Sequence, residues 1–189
     1  MLPEPFSRLP LSATSRISYQ IDEAVFKMED RSDAFFFIIS GEVHLRRYTQ
    51  NGDLIVIHRA FSDQYFAEAS LFSDNYHCDA IAVQNADLIH IDRFKVLELI
   101  KADSDFALQM TAFLAKQVQD YRRLLELRSI RSAKVRVYAG LAEGWMRGNI
   151  MSFSNQIGLT HEATYRALNQ LVRSKQVEKR ARGKYQIVL

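Results

Sequence analysis

"AFFFIISGEVHLRRYTQNGDLIVIHRA", residues 34–60, is the stretch that decides the fold. β-branched and aromatic side chains fill it, and its breaks fall at Gly41 and at Asn51-Gly52. Such side chains fit a pleated, half-buried surface, and Asn-Gly accepts the positive φ values of a two-residue type I′ turn. The stretch therefore predicts successive strands, with "VHLRRY" and "LIVIHR" as the arms of a two-residue hairpin. Short runs of the same chemistry follow at turn-separated intervals: "YFAEASLF" (65–72), "CDAIAV" (78–83) and "DLIHID" (87–92). Together they predict an antiparallel roll or barrel from about residue 15 to 92, with a helix beginning at Arg93.

Beyond the roll the chemistry changes. From Asp103 to Arg128 there is no Gly or Pro, and Ala, Leu, Met, Gln, Lys and Arg dominate, the composition of a long helix. Asp103, Ser104 and Asp105 offer N-terminal caps. Phe106, Met110, Phe113 and Leu114 crowd the first half, and Leu114, Val118, Tyr121 and Leu125 recur at spacings of 4, 3 and 4. More than one side needs covering, so one side is expected on the roll and another on a partner helix. The expected dimer interface is Met110, Leu114, Val118, Tyr121 and Leu125; a helix buried within one domain is the alternative.

After Ser132 comes a compact helical segment. "AKVRVYAGLAEGWM" (133–146) predicts an amphipathic helix, and Asn149 can cap the next, "IMSFSNQI" (150–157). Gly158 then supplies a tight turn, and Thr160 caps a helix to about Ser174. Helix, Gly-containing turn, helix is the DNA-binding helix-turn-helix arrangement. Helical spacing turns Thr164, Ala167, Leu168, Leu171 and Val172 inward and His161, Glu162, Tyr165, Arg166, Asn169 and Arg173 outward. "QVEKRARGKYQIVL" (176–189) predicts two short strands about Arg182-Gly183, a basic wing.

Charge follows the same division. The whole chain of 189 residues carries a net charge of +3. Residues 1–100 hold 9 Lys/Arg against 15 Asp/Glu, a net of −6, whereas residues 129–189 hold 11 against 3, a net of +8. A small basic C-terminal domain has the electrostatic footprint of a nucleic-acid binder, with an idle solvated surface as the alternative. The expected divisions are 1–102 for the roll with flanking helices, 103–128 for the dimerisation helix and 129–189 for the DNA-binding domain. Glu162 and Arg166, four apart on one face, suit two roles. They can form a solvated ion pair worth a few tenths of a kcal/mol, or a base-reading pair in which arginine donates to guanine and the carboxylate accepts from cytosine.

Several classes are excluded. No apolar run approaches the roughly 20 residues of a membrane helix, and "MLPEPFSRLPLSATSR" (1–16) lacks a secretory core, so a cytoplasmic location without a membrane partner is expected. The lone cysteine, Cys78, rules out a disulfide framework, paired Cys-x-x-Cys zinc units and a four-cysteine iron–sulfur cluster within one chain. "HCD" (77–79), with Glu68 and His44 or His58, contains metal-ligand atom types, but neighbours in a strand point to opposite faces. No metal or haem is therefore assigned, and Cys78 is read first as a buried structural residue. Gly-rich phosphate loops, a nucleophile elbow and a His-Glu-x-x-His helix are absent, which argues against an enzyme.

Taken together, the chain resembles the Crp/Fnr-type transcription regulators, the family of the cyclic-AMP receptor protein. "FKMEDRSDAFFFIISGEVHL" (26–45) resembles the opening of the family's sensory β-roll, "YFAEASLF" its effector cassette, and residues 103–128 its dimer helix. "IGLTHEATYRALNQL" (157–171) is similar to its recognition segment, in which a Glu and an Arg four residues on read the TGA part of each half-site. The resemblance implies an α+β fold: an N-terminal antiparallel β-roll of the cyclic-nucleotide-binding, jelly-roll type, a long dimerisation helix and a C-terminal winged helix-turn-helix. It implies a homodimer on palindromic double-stranded DNA, with RNA polymerase as a further partner.

Base reading is thereby expected of His161, Glu162, Tyr165 and Arg166. Phosphate contact is expected of Thr160, Asn169, Arg173, Lys175, Lys179, Arg180, Arg182 and Lys184. The effector pocket would involve Glu68, Cys78, Asp79, Tyr121 and Arg122, and it departs from the family's pattern. Where cyclic-nucleotide-binding members carry Arg-Ser for the cyclic phosphate, this chain has Cys78-Asp79, which removes a cation and adds an anion. Control by cyclic AMP is not expected, and no cofactor is. The competing class is a signal-binding, metal-binding or protein-interaction module of the same fold with a degenerate DNA-binding domain.

Overall fold

The computed structural model describes residues 2–146, 149–181 and 183–188. The chain divides into two compact units, Met1–Phe113 and Leu114–Leu189. The division falls inside the long helix rather than at either of its ends.

In the first unit, eight strands form two antiparallel sheets: β1 (Thr14–Tyr19), β2 (Ala24–Phe26), β3 (Ala34–Ser40), β4 (Glu42–Tyr48), β5 (Leu54–Phe61), β6 (Tyr65–Phe66), β7 (Asp79–Ala82) and β8 (Ala86–Asp92). One sheet runs β1-β8-β3-β6, the other β2-β7-β4-β5. Residues 34–60 thus become β3, β4 and β5, the heart of an antiparallel β-roll. The run "AFFFI" in β3 does not alternate because both faces of that strand are covered. Phe36 lies 5.8 Å from Phe26 and 5.1 Å from Phe66. Phe35, pointing the other way, meets Phe6 of the N-terminal segment at 5.0 Å. Gly41 joins β3 to β4 at φ +96, where a Cβ would stand 2.5 Å from the Asn85 carbonyl, so any other residue would force the two chain segments apart.

The turn after β4 differs from the two-residue type expected. The arms pair as read, with Tyr48 opposite Leu54. Thr49 and Asp53 then continue the pairing, with Thr49 N donating to the Asp53 carbonyl at 2.9 Å. Gly52 N closes a four-residue turn on the Thr49 carbonyl at 3.0 Å, and only Gly52 has a positive φ, +84. This is the three-residue loop with glycine in the left-handed position. The Thr49 hydroxyl selects it by accepting from Asp53 N at 3.0 Å.

Helix α1 (Arg93–Ala102) starts where expected, its first amides bound by the Asp92 carboxylate. Helix α2 (Ser104–Ser129) has 26 residues, about 39 Å at 1.5 Å per residue. Asp103 caps it by accepting from Phe106 N at 3.0 Å and also pairs with Arg8 at 2.6 Å. Phe106 and Met110 are buried in the first unit, and Phe113 packs edge-on to Phe6 at 5.3 Å. Met110 therefore cannot serve the dimer interface assigned to it: its own protomer covers it, leaving 2% exposed.

The second unit holds the rest of α2, then α3 (Ala133–Ala142), α4 (Ile150–Gln156), α5 (His161–Arg173) and an antiparallel ribbon of β9 (Val177–Ala181) and β10 (Lys184–Ile187). Its core centres on Leu127, Val137, Phe153, Ile157, Leu168 and Leu171. Helices α3, α4 and α5 begin at Ser132, Asn149 and Thr160, each of whose side chains accepts a backbone amide. All three end in the same paired-bond motif. For α4 the bonds are Leu159 N to Ser154 O (2.9 Å) and Gly158 N to Asn155 O (3.3 Å); for α5 they are Gln176 N to Leu171 O and Lys175 N to Val172 O, both 3.0 Å. The left-handed residue is Gly144 after α3, Gly158 after α4 and Lys175 after α5. Where α3 crosses α4, a Cβ on Gly140 would lie 3.0 Å from the Phe153 ring, so the two helices meet at a missing side chain.

Candidate nucleic-acid interface

Thr160 fixes the start of α5. Its hydroxyl accepts from Ala163 N at 3.1 Å and its carbonyl takes the Thr164 hydroxyl at 3.0 Å. From there the helical period separates two faces. Thr164, Ala167, Leu168 and Leu171 are buried and Val172 is half-buried. His161, Glu162, Tyr165, Arg166 and Arg173 are exposed, with Asn169 half-buried beside them. Arg166 Nε stands 3.9 Å from Glu162 Oε1, with the two side chains 70% and 80% exposed. At that separation and exposure the pair contributes little to stability, so both groups keep their hydrogen-bonding capacity for something outside the protein. The His161 and Tyr165 rings lie nearly parallel beside them, centroids 6.4 Å apart.

The wing places Lys179 and Lys184 in the open. Arg180 is exposed too, but bonded to Glu178 at 3.0 Å and Gln186 at 3.2 Å. Lys175 sits at the left-handed end of α5 with φ +56. Arg182 lies outside the described residues.

Two arginines that sequence reading did not single out hold the turn between α4 and α5. Arg128, in the last turn of α2, donates from Nε to the Gln156 carbonyl at 3.1 Å and from Nη2 to the Asn155 carbonyl at 3.4 Å. Arg136 of α3 donates to the Gly158 carbonyl at 3.1 Å and to Ile130 O at 2.8 Å. The only sequence signal was their position in a basic segment, which reads equally well as surface.

On α2, Val118, Tyr121 and Leu125 are 49%, 50% and 66% exposed, and Leu114 is half-buried. This leaves an apolar stripe at heptad spacing. Arg122 is exposed beside it.

In the roll, Glu68 opens a 3₁₀ turn (Glu68–Phe72) directly after Ala67, a non-glycine at φ +64. Cys78 is buried, and that burial pushes its thiol up to about 11 against a weaker opposing pull from Arg47. The Asp79 carboxylate accepts from Met28 N at 2.8 Å. His44 pairs with Glu42 at 2.7 Å, and burial holds the His58 imidazole below its ordinary pKa. Among the described residues no group of three or more His, Cys, Asp or Glu could hold a metal ion, and no helix is long and apolar enough to cross a membrane.

A β-roll, a long helix with an exposed apolar stripe and a winged helix-turn-helix with an open polar face define an α+β class of protein. Comparison with known proteins agrees. Residues 16–103 match the cyclic nucleotide-binding domain. The cyclic AMP receptor protein of Thermus thermophilus is 28% identical over 130 residues, 68% of this chain and 60% of that protein. This chain thus aligns with somewhat under two thirds of that relative's length. Among solved structures, FixK2 of Bradyrhizobium japonicum superposes with a TM-score of 0.72 at 17% identity, covering 93% of each chain. The catabolite activator protein of T. thermophilus gives 0.52 at 24% identity over 94% of this chain and 87% of that one. These likenesses place a cyclic nucleotide-binding domain at residues 16–103 and show a fold shared with FixK2 along most of the chain.

Proposed function

We propose that this protein is a sequence-specific regulator of transcription that binds palindromic double-stranded DNA as a homodimer. The observation that carries the reading is the face of α5, where Glu162 and Arg166 stand side by side, exposed and only loosely paired, on the first turns of the second helix of a helix-turn-helix. Arg166 can donate two bonds to a guanine and Glu162 can accept from a cytosine, in half-sites of the TGA type, with His161 and Tyr165 setting the flanking preference. Thr160, Asn169, Arg173, Lys175 and the wing residues Lys179, Arg180 and Lys184 supply phosphate contacts that fix register without reading sequence. Val118, Tyr121 and Leu125, with Leu114, form the seam between protomers, and RNA polymerase is the downstream partner.

Cyclic AMP is not the proposed effector, although a relative bears its name. Where the resemblance would put the cation for a cyclic phosphate, Cys78 is buried, and the Asp79 carboxylate accepts from Met28 N. Calorimetry should show no micromolar binding of cyclic AMP; saturable heat in that range would refute this part.

DNA reading is tested by selecting duplexes with the parent chain and competing them against random duplex at fixed salt. A large specificity ratio is expected, and Arg166→Ala should cost about 1–3 kcal/mol on the selected site. Glu162→Ala should relax preference at one base while changing random-duplex affinity little. Equal affinity of the parent for selected and random duplex would refute the assignment.

A further inference from the structure

The four last carbonyls of any helix lack partners within it, and α4, at seven residues, is too short to hold itself by propensity. Its C-terminal end is also where the chain turns toward α5. Arg128 reaches that end from outside the motif, with its Nε at 3.1 Å from the Gln156 carbonyl and its Nη2 at 3.4 Å from that of Asn155. The turn runs directly beneath this side chain: a Cβ on Gly158 would lie 3.5 Å from the Arg128 Cγ and Nε. One residue earlier, Leu127 is buried in the core shared with Phe153, Ile157 and Leu168. Further up, Arg123 pairs with Glu143 at 3.5 Å. The final turns of α2 are therefore built into the same packed unit as the helix-turn-helix.

We propose that Arg128 is a positioning residue for sequence reading: it ties the end of α2 to the turn that sets the direction of α5. This rests on the DNA-reading function proposed above. A guanidinium spread over two backbone carbonyls at a helix C-terminus is matched in charge to the partial negative charge there and in shape to two acceptors at once. Its Nε and Nη2 donate to the protein's own backbone, so the role assigned to it is orientation rather than phosphate affinity. Arg136 braces the same turn from the other side through the Gly158 carbonyl.

The test uses the full chain carrying Arg128→Lys, which keeps the charge but not the two-carbonyl fork, and Arg128→Met, which keeps only the stem. Affinities for the selected inverted repeat and for random duplex are measured across a salt series. Amide hydrogen exchange is followed without DNA. Each variant should lose about tenfold on the selected site, the order expected for a lost charged hydrogen bond, with random-duplex affinity and salt slope kept. The amides of Gly158 and Leu159 should exchange faster than in the parent. An equal loss on both duplexes with the slope shallower by about 0.9 would make Arg128 a phosphate contact and overturn the proposal. So would a parent-like Arg128→Lys, or exchange at Gly158 and Leu159 that does not change. A parent with no duplex preference would overturn the DNA reading and with it the role given to Arg128, while the exchange result would decide separately whether the brace exists.

Discussion

Asp79 and Glu162 are both carboxylates in stretches that sequence reading marks as functional, and the two units use them in opposite ways. Asp79 accepts the Met28 amide and so holds β7 to the chain after β2. Among the described residues, Glu162 pairs with Arg166 at 3.9 Å, on an open helix face. The same contrast separates Cys78, sealed in the roll, from His161 and Tyr165, which stand in solvent. Asp79 and Cys78 are thus committed to the fold of the first unit, whereas Glu162, His161 and Tyr165 are presented by the second. A surface that keeps its hydrogen-bonding capacity unspent has it available for a ligand.

The severest test of the contrast is the α2 stripe, because a presented surface should fail when its partner is removed. Val118→Lys with Leu125→Lys places like charges across the proposed seam. Sedimentation should show monomer, and affinity for an inverted repeat should fall by about 10²–10⁴-fold as the second half-site is lost. A double variant that stays dimeric would remove α2 from the interface.

The committed side is tested at Cys78. Its thiol is pushed from 9.0 to about 11, which cuts the reactive thiolate fraction near pH 8 on the order of a hundredfold. Alkylation of the folded protein should be slower by at least that factor than in urea. Because the folded value lies above the ordinary one, the protonated thiol contributes stability below pH 9.0 that is lost as pH rises toward about 11. Rapid alkylation of native protein at pH 8 would place Cys78 among the presented groups instead.

Lys175 gives the smallest effect and the sharpest distinction. It takes a left-handed conformation that glycine takes after α3 and α4, at a cost of about 1 kcal/mol. Lys175→Gly should raise stability by about that amount in urea melts. If Lys175 meets a phosphate, the variant should also make the salt slope shallower by about 0.9. A gain in stability with an unchanged slope would strike Lys175 from the contact set.

What could be read beforehand follows from the range of the interactions involved. Strand chemistry in 34–60, the caps at Asn149 and Thr160 and the two faces of α5 are set by residues within a turn or two of one another, and all were legible. The hairpin was misjudged because Asn-Gly suits two loop types, and the Thr49 side chain decides between them through Asp53 N. Met110 could not be told from its neighbours on α2 because spacing shows that two sides need covering but not which of them the protomer covers itself. Arg128 and Arg136 were invisible for another reason: their partners are backbone carbonyls, which leave no mark in a sequence.

Gly140 carries a practical consequence. The crossing of α3 over α4 depends on an atom that is not there, with a would-be Cβ 3.0 Å from the Phe153 ring, and the far end of α4 depends on side chains from α2 and α3. The segment from Asn149 to Arg173 is thus not a transplantable cassette. Grafted into another scaffold, it would keep its letters and lose the angle between its helices, unless the graft also carried the last turn of α2 and the glycine-bearing face of α3.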